Sequence, residues 1–121
     1  MSTTAELLTA NLHDVFGNRD AAARRAAIER TYAPDVVFTD PEGSVTGWDA
    51  LEAKAAALLD PTPGAFQFAE EGRRYVSASH GALSWGFGPV GDPVARGVDV
   101  IEVRDGVIAA LTTILAEGQQ A

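Results

Sequence analysis

The chain has no cysteine, so no disulfide can staple it and no thiolate can hold a metal. It lacks an excess of base: 9 Lys and Arg stand against 17 Asp and Glu, a formal charge of −8. No basic stripe is visible, which speaks against a nucleic-acid surface, and the acidity serves solubility and offers no grip on anionic membranes. No apolar run approaches the roughly 20 residues that a membrane helix requires. The start, Met1 to Glu6, has neither the basic region nor the apolar stretch of a signal peptide. These absences together predict a cytoplasmic protein. Also missing are a phosphate loop, a nucleophile elbow and a paired metal signature, since His13 and His80 stand far apart.

What is present is enough for one core. The 121 residues are 46% hydrophobic, which fits a single domain over 1–121 and argues against disorder. Leu8, Leu12, Val15 and Phe16, with Leu7 beside them, recur at helical spacing up to Gly17-Asn18. Asp20 can cap a second, alanine-rich helix running to about Tyr32 and stopped before Pro34. Val36, Phe38 and Asp40 alternate with Asp35, Val37 and Thr39 as a short strand, turned by Pro41-Glu42-Gly43. Thr46-Gly47-Trp48-Asp49 has the form of a capping box, predicting a third helix with Leu51, Ala55, Leu58 and Leu59 buried.

The second half predicts four long strands, 65–75, 79–88, 94–104 and 107–115, with Gly81, Gly86, Gly88 and Gly97 as sites of bulges or bends. Helices followed by long strands predict an α+β fold with a curved antiparallel sheet. Asp105-Gly106 is a two-residue hairpin signal. A regular ladder from that turn opposes Arg104 to Val107, Val103 to Ile108 and Asp99 to Thr112. One face then carries Asp99, Ile101, Val103, Ile108, Ala110, Thr112 and Ile114. This is expected to be the inner face.

Asp99 is the residue with most to explain. A carboxyl group on an apolar face must be paired, hydrogen-bonded or protonated, and such groups cluster at functional sites. The competing reading is a structural Asp that bonds Thr112 or a tyrosine. Asp40 shares the phase of Val36 and Phe38, although Asp before Pro-x-Gly also serves turns. His80 is out of phase with Leu83, Trp85 and Phe87 unless a bulge intervenes, but its tunable charge keeps it a candidate acid or base. Phe38, Trp48, Phe66, Phe68 and Trp85 are candidate pocket aromatics, with core packing as the alternative.

The order of elements and two segments carry a resemblance: Tyr32-Ala33-Pro34-Asp35-Val36-Val37-Phe38-Thr39-Asp40-Pro41-Glu42-Gly43, and Gly97 to Ile108 across the Asp-Gly turn. The chain resembles the nuclear transport factor 2-like superfamily, in its SnoaL-like and ketosteroid isomerase-like branch, over almost its whole length. The resemblance implies a cone in which three helices close a strongly bent sheet over a pocket. It implies homodimers through the sheet's outer face and a small hydrophobic ligand, with no cofactor required. Ketosteroid isomerases have an Asp base just before a Pro-x-Gly turn, the place of Asp40. They keep an acid in the penultimate strand protonated to bind the enolate oxygen. Anchoring on the Asp-Gly turn puts Asp99 there, whereas the local Asp-Val-Ile-acid string puts Glu102 there. The isomerases' first-helix tyrosine is absent; Leu12 and His13 stand in that helix. The resemblance thus implies an isomerase or cyclase using Asp40 and Asp99, helped by His80, on an apolar carbonyl compound. The alternative is a non-catalytic dimeric ligand-binding domain of the same fold.

Overall fold

Thr3 and Glu6 open the first helix reciprocally: the Thr3 hydroxyl accepts the Glu6 backbone N–H at 3.1 Å, and the Glu6 carboxylate accepts that of Thr3 at 2.8 Å. In the computed structural model, which describes residues 2–118, this helix α1 (Thr4–Thr9) runs without interruption into a π-wound segment, Ala10–Phe16. Its buried pairs Leu7-Leu8, Asn11-Leu12 and Val15-Phe16 recur every four residues. That period exceeds the 3.6 of an α-helix, and the wider π turns hold all three pairs on one face.

Asp20 caps α2 (Ala21–Thr31) by accepting the Ala23 N–H at 3.1 Å. The chain then enters β1 (Tyr32–Asp40) directly, taking Pro34 into an irregular stretch of strand between Tyr32 and Val37. A hairpin at Pro41-Glu42 leads to β2 (Gly43–Thr46). The expected capping box at Thr46 does not form, because Thr46 is held in β2 opposite Val37. Gly47 occupies the cap position of α3 (Trp48–Leu59) with φ of 99°, a turn that suits glycine, and supplies no side-chain cap. Leu51, Ala55 and Leu59 are buried on α3, while Leu58 is only half-buried.

The strands β3 (Gln67–Val76), β4 (His80–Gly88), β5 (Ala95–Arg104) and β6 (Val107–Leu115) complete a curved six-stranded sheet in the order β2-β1-β6-β5-β4-β3. The sheet is mixed, not wholly antiparallel as expected, because β1 arrives from the helices and lies parallel to β6. The helices pack against the sheet, and the core fills the space between. No helix among the described residues is long and apolar enough to cross a membrane.

Asp105 and Gly106 take φ of 56° and 78°, a two-residue turn with both central residues left-handed. Arg104 faces Val107 and Val103 faces Ile108, as the turn dictates. The ladder then slips: Glu102 faces Ala110, leaving Ala109 as an extra residue. Beyond this bulge the faces of β6 exchange. Leu111, Thr113 and Leu115 turn inward, Asp99 opposes Thr113 in place of Thr112, and Ile114 emerges 54% exposed. The other irregularity of the antiparallel ladders is at Gly72 (φ 73°), not at Gly81, Gly86 or Gly97.

Candidate active site

Between the helices and the sheet lies a cavity of about 430 Å³. Five aromatic rings border it, those of Phe16, Phe38, Phe68, Trp85 and Phe87. They pack on one another, with ring centroids 4.4 Å apart for Phe68 and Phe87, 5.3 Å for Phe68 and Trp85, and 5.6 Å for Phe16 and Phe38. Two clusters of polar groups interrupt this apolar wall, each built around a carboxyl group.

Asp99 sits in mid-sheet between Leu83 of β4 and Thr113 of β6, and is only 4% exposed. Three donors reach it from three elements. The Trp85 Nε1–H and the Thr113 hydroxyl donate to Oδ1 at 3.0 and 2.8 Å, and the Asn11 amide donates to Oδ2 at 2.8 Å. Each depends on a local departure from regularity. Trp85 lies directly opposite Gly97, and a Cβ there would come within 2.6 Å of the indole ring. The missing side chain therefore gives the ring room to lean toward Asp99. The Ala109 bulge turns Thr113 inward. The π-wound segment brings Asn11 to the same face as Leu12 and Val15.

Asn11 is itself fixed from behind. The buried Tyr32 hydroxyl donates to its Oδ1, so the amide NH₂ must face Asp99. Burial pushes the Tyr32 hydroxyl well above its ordinary value, with the nearby Asp99 charge adding to the effect, so it stays a donor at neutral pH. Burial also pushes the Asp99 carboxyl above its ordinary value, against the opposing pull of the hydrogen bonds from Thr113, Trp85 and Asn11.

Asp40 ends β1 at another part of the cavity wall and is 15% exposed at its side chain. Its Oδ1 accepts the Glu42 backbone N–H at 2.9 Å, and its Oδ2 accepts the Lys54 ammonium at 3.1 Å. Lys54 also reaches Glu42 Oε1 at 2.9 Å. Hydrogen bonding to Glu42, followed by that to Asp40, raises the Lys54 ammonium above its ordinary value despite some burial.

Of the residues singled out from sequence, Asp40, Asp99, Phe38, Phe68 and Trp85 border one cavity. His80 does not join them. It opens β4 opposite Glu102 on the outward face, its side chain is 61% exposed, and its ring bonds the Ser79 hydroxyl. No bulge intervenes to bring it into phase with Leu83 and Trp85. Glu102 is exposed on that same face, which leaves Asp99 as the inward acid of β5. Trp48 packs against the core and donates its indole N–H to the Tyr32 carbonyl at 3.0 Å, away from the cavity lining. Phe66 precedes β3, meets Phe87 edge-on and borders a neighbouring groove with His13 and Arg19.

Sequence reading missed Asn11 and Lys54. Asn11 lies within the four-residue repeat of the first helix, and Lys54, the only lysine of the chain, follows Leu51 by three residues on α3. Among the described residues no three His, Asp or Glu side chains converge as a metal site.

Residues 9–111 match the family described as SnoaL-like domain, and the chain belongs to that family. No curated protein sequence matches it. Among solved structures it resembles a candidate isomerase of the SnoaL-like family from Agrobacterium tumefaciens, with a TM-score of 0.83 and 23% identity over 93% of this chain and 97% of that one. A candidate ketosteroid isomerase from Kribbella flavida matches with a TM-score of 0.72 and 22% identity, over 98% of this chain and 81% of the other. A candidate SnoaL-like polyketide cyclase from Jannaschia matches at 0.76 and 14%, over 93% and 84%. At these identities the likeness establishes the fold.

The raised Asp99 value has a consequence for stability. Its folded value lies above that of an unfolded Asp, about 3.9. Its contribution is therefore fully present below that pH and lost as pH rises through the folded value. Asp99→Asn has no such titration. Urea unfolding should show the wild type's stability relative to Asp99→Asn falling as pH rises from about 4, with a slope of at most about 1.4 kcal/mol per pH unit. A relative stability that rises over that range would contradict the assignment.

Proposed function

We propose that this SnoaL-like domain binds a small, largely apolar carbonyl compound and catalyses acid–base isomerisation or cyclisation on it. One observation carries the reading: two carboxyl groups from opposite halves of the chain, one buried and one at its edge, open on the same aromatic cavity. In this reading Asp40 is the base and removes a proton next to the carbonyl. Asp99, neutral in its apolar setting, donates a hydrogen bond to the oxygen on which negative charge develops. Oδ1 accepts two hydrogen bonds and Oδ2 one, so in this reading the proton sits on Oδ2, which keeps a lone pair for the Asn11 amide. Transfer of the proton from Asp40 to another carbon completes an isomerisation. Attack of the enolate carbon on an electrophilic carbon of the same molecule completes a cyclisation, with Asp40 returning its proton to the oxygen released there as alkoxide. The rings exclude water and strengthen both electrostatic effects.

The reading is tested with 2-tetralone, a flat bicyclic ketone with acidic α-hydrogens, by following their exchange in D₂O by proton NMR. Wild type should accelerate exchange, and Asp40→Asn should lose about 100-fold or more of that acceleration. Equal rates for the two proteins would remove Asp40 as the base and leave the cavity as a binding site.

The same reading includes a homodimer formed through the outward face of the sheet. Val98, Val100 and Thr112 are half-buried there, while Tyr75 and Ile114 are exposed. Sedimentation velocity should find a dimer for wild type and a monomer for Ile114→Glu, which places a charge in the apolar patch. A monomeric wild type would contradict the dimer.

A further inference from the structure

The base proposed above is not left to find its own orientation. Both Asp40 oxygens are held, Oδ1 by the Glu42 backbone N–H and Oδ2 by the Lys54 ammonium. Each oxygen keeps a second lone pair with which to take a proton. We propose that Lys54 is the positioning residue of this base, aimed in turn by Glu42, so that the unit presented to substrate is Glu42–Lys54–Asp40 and not Asp40 alone. The inference rests on Asp40 acting as the base.

Three features of the structure support it. Lys54 reaches from α3 to the end of β1 and the hairpin that follows it, where it donates to Asp40 and Glu42. The ionisable groups bordering the cavity are Asp40 from β1, Glu42 from the hairpin, Lys54 from α3 and Asp99 from β5. Second, the two arms of the ammonium differ. The Asp40 arm is sheltered at the cavity wall, whereas the Glu42 carboxylate is 69% exposed. An exposed ion pair adds little stability by itself, so the Glu42 arm acts by fixing where the ammonium sits. Third, all eight other basic residues are arginine. A lysine offers a compact charge with three donors, of which Asp40 and Glu42 take two. The carboxylate is held without being enclosed in a planar fork.

The test uses the same exchange of 2-tetralone, now followed over a range of ketone concentrations for wild type, Lys54→Met, Lys54→Arg and Glu42→Gln, with far-UV circular dichroism as the check on folding. Misplacing a reacting group by about 1 Å costs up to about 100-fold. Lys54→Met should therefore lose about tenfold or more in the rate at saturating ketone while KM stays within about twofold. Lys54→Arg, which keeps the charge but presents a planar fork to the carboxylate, should recover only part of that loss, and Glu42→Gln should fall between wild type and Lys54→Met. Wild-type exchange by Lys54→Met, with Asp40→Asn silent, would overturn this inference and leave the base assignment standing. A loss seen only in KM, or no rescue by arginine, would overturn it equally. Should Lys54→Met fail to fold, an undiminished saturating rate in Glu42→Gln overturns it. Absence of any acceleration by wild type would overturn the base assignment and this inference with it.

Discussion

A carboxyl group buried in the middle of a sheet is the constraint on which this structure turns. Removing a carboxylate from water without partners is prohibitive, and Asp99 is almost entirely removed. The fold answers with three donors, and none comes from regular secondary structure alone. The first helix is underwound to deliver Asn11, β6 carries an extra residue to turn Thr113 inward, and β5 has a glycine where the Trp85 indole must lie. Tyr32, at the junction of α2 and β1, fixes the orientation of Asn11. Helices and sheet are thus joined at one polar point inside an apolar core. Burial still outweighs the donors and leaves the acid biased toward its neutral form.

The second carboxyl group is treated in the opposite way. Asp40 stands at the edge of the cavity, where a backbone N–H and an ammonium group each hold one of its oxygens. Two acids of the same chemistry are therefore placed in different surroundings, one buried among neutral donors and one beside an ammonium group, and both face one pocket. Such a division is what acid–base chemistry on a carbonyl compound requires. The fold itself is shared with proteins of different named activities, so the reaction has to be argued from these side chains.

Much of this was legible in the sequence, for reasons that can be named. The Asp-Gly turn located the last hairpin because two left-handed residues in succession are rarely satisfied otherwise, and the strand at Val107–Leu115 has the expected bounds. Alternation placed Asp99 and Asp40 inward correctly, since both lie on the uninterrupted side of their local ladders. What alternation could not foresee was the Ala109 bulge. Alanine suits either face, so nothing in its identity marks the slip that exchanges Thr112 for Thr113. The Thr46 capping signal failed because a competing strand claimed that residue. Asn11 was hidden by the assumption of a 3.6-residue turn. Lys54 was hidden because a lysine on a helix is ordinarily solvated, and only the tertiary approach of the Pro41-Glu42 hairpin gives it partners.

The central claim is that Asp99 is a buried acid kept toward neutrality within a donor cage. The most direct measurement is a pH titration of the Asp99 side-chain carboxyl carbon by ¹³C NMR in the ligand-free protein, assigned with Asp99→Asn. The account predicts a midpoint clearly above the ordinary Asp value of about 3.9. A midpoint at or below that value would mean that the three donors outweigh burial, and Asp99 could not serve as the neutral hydrogen-bond donor.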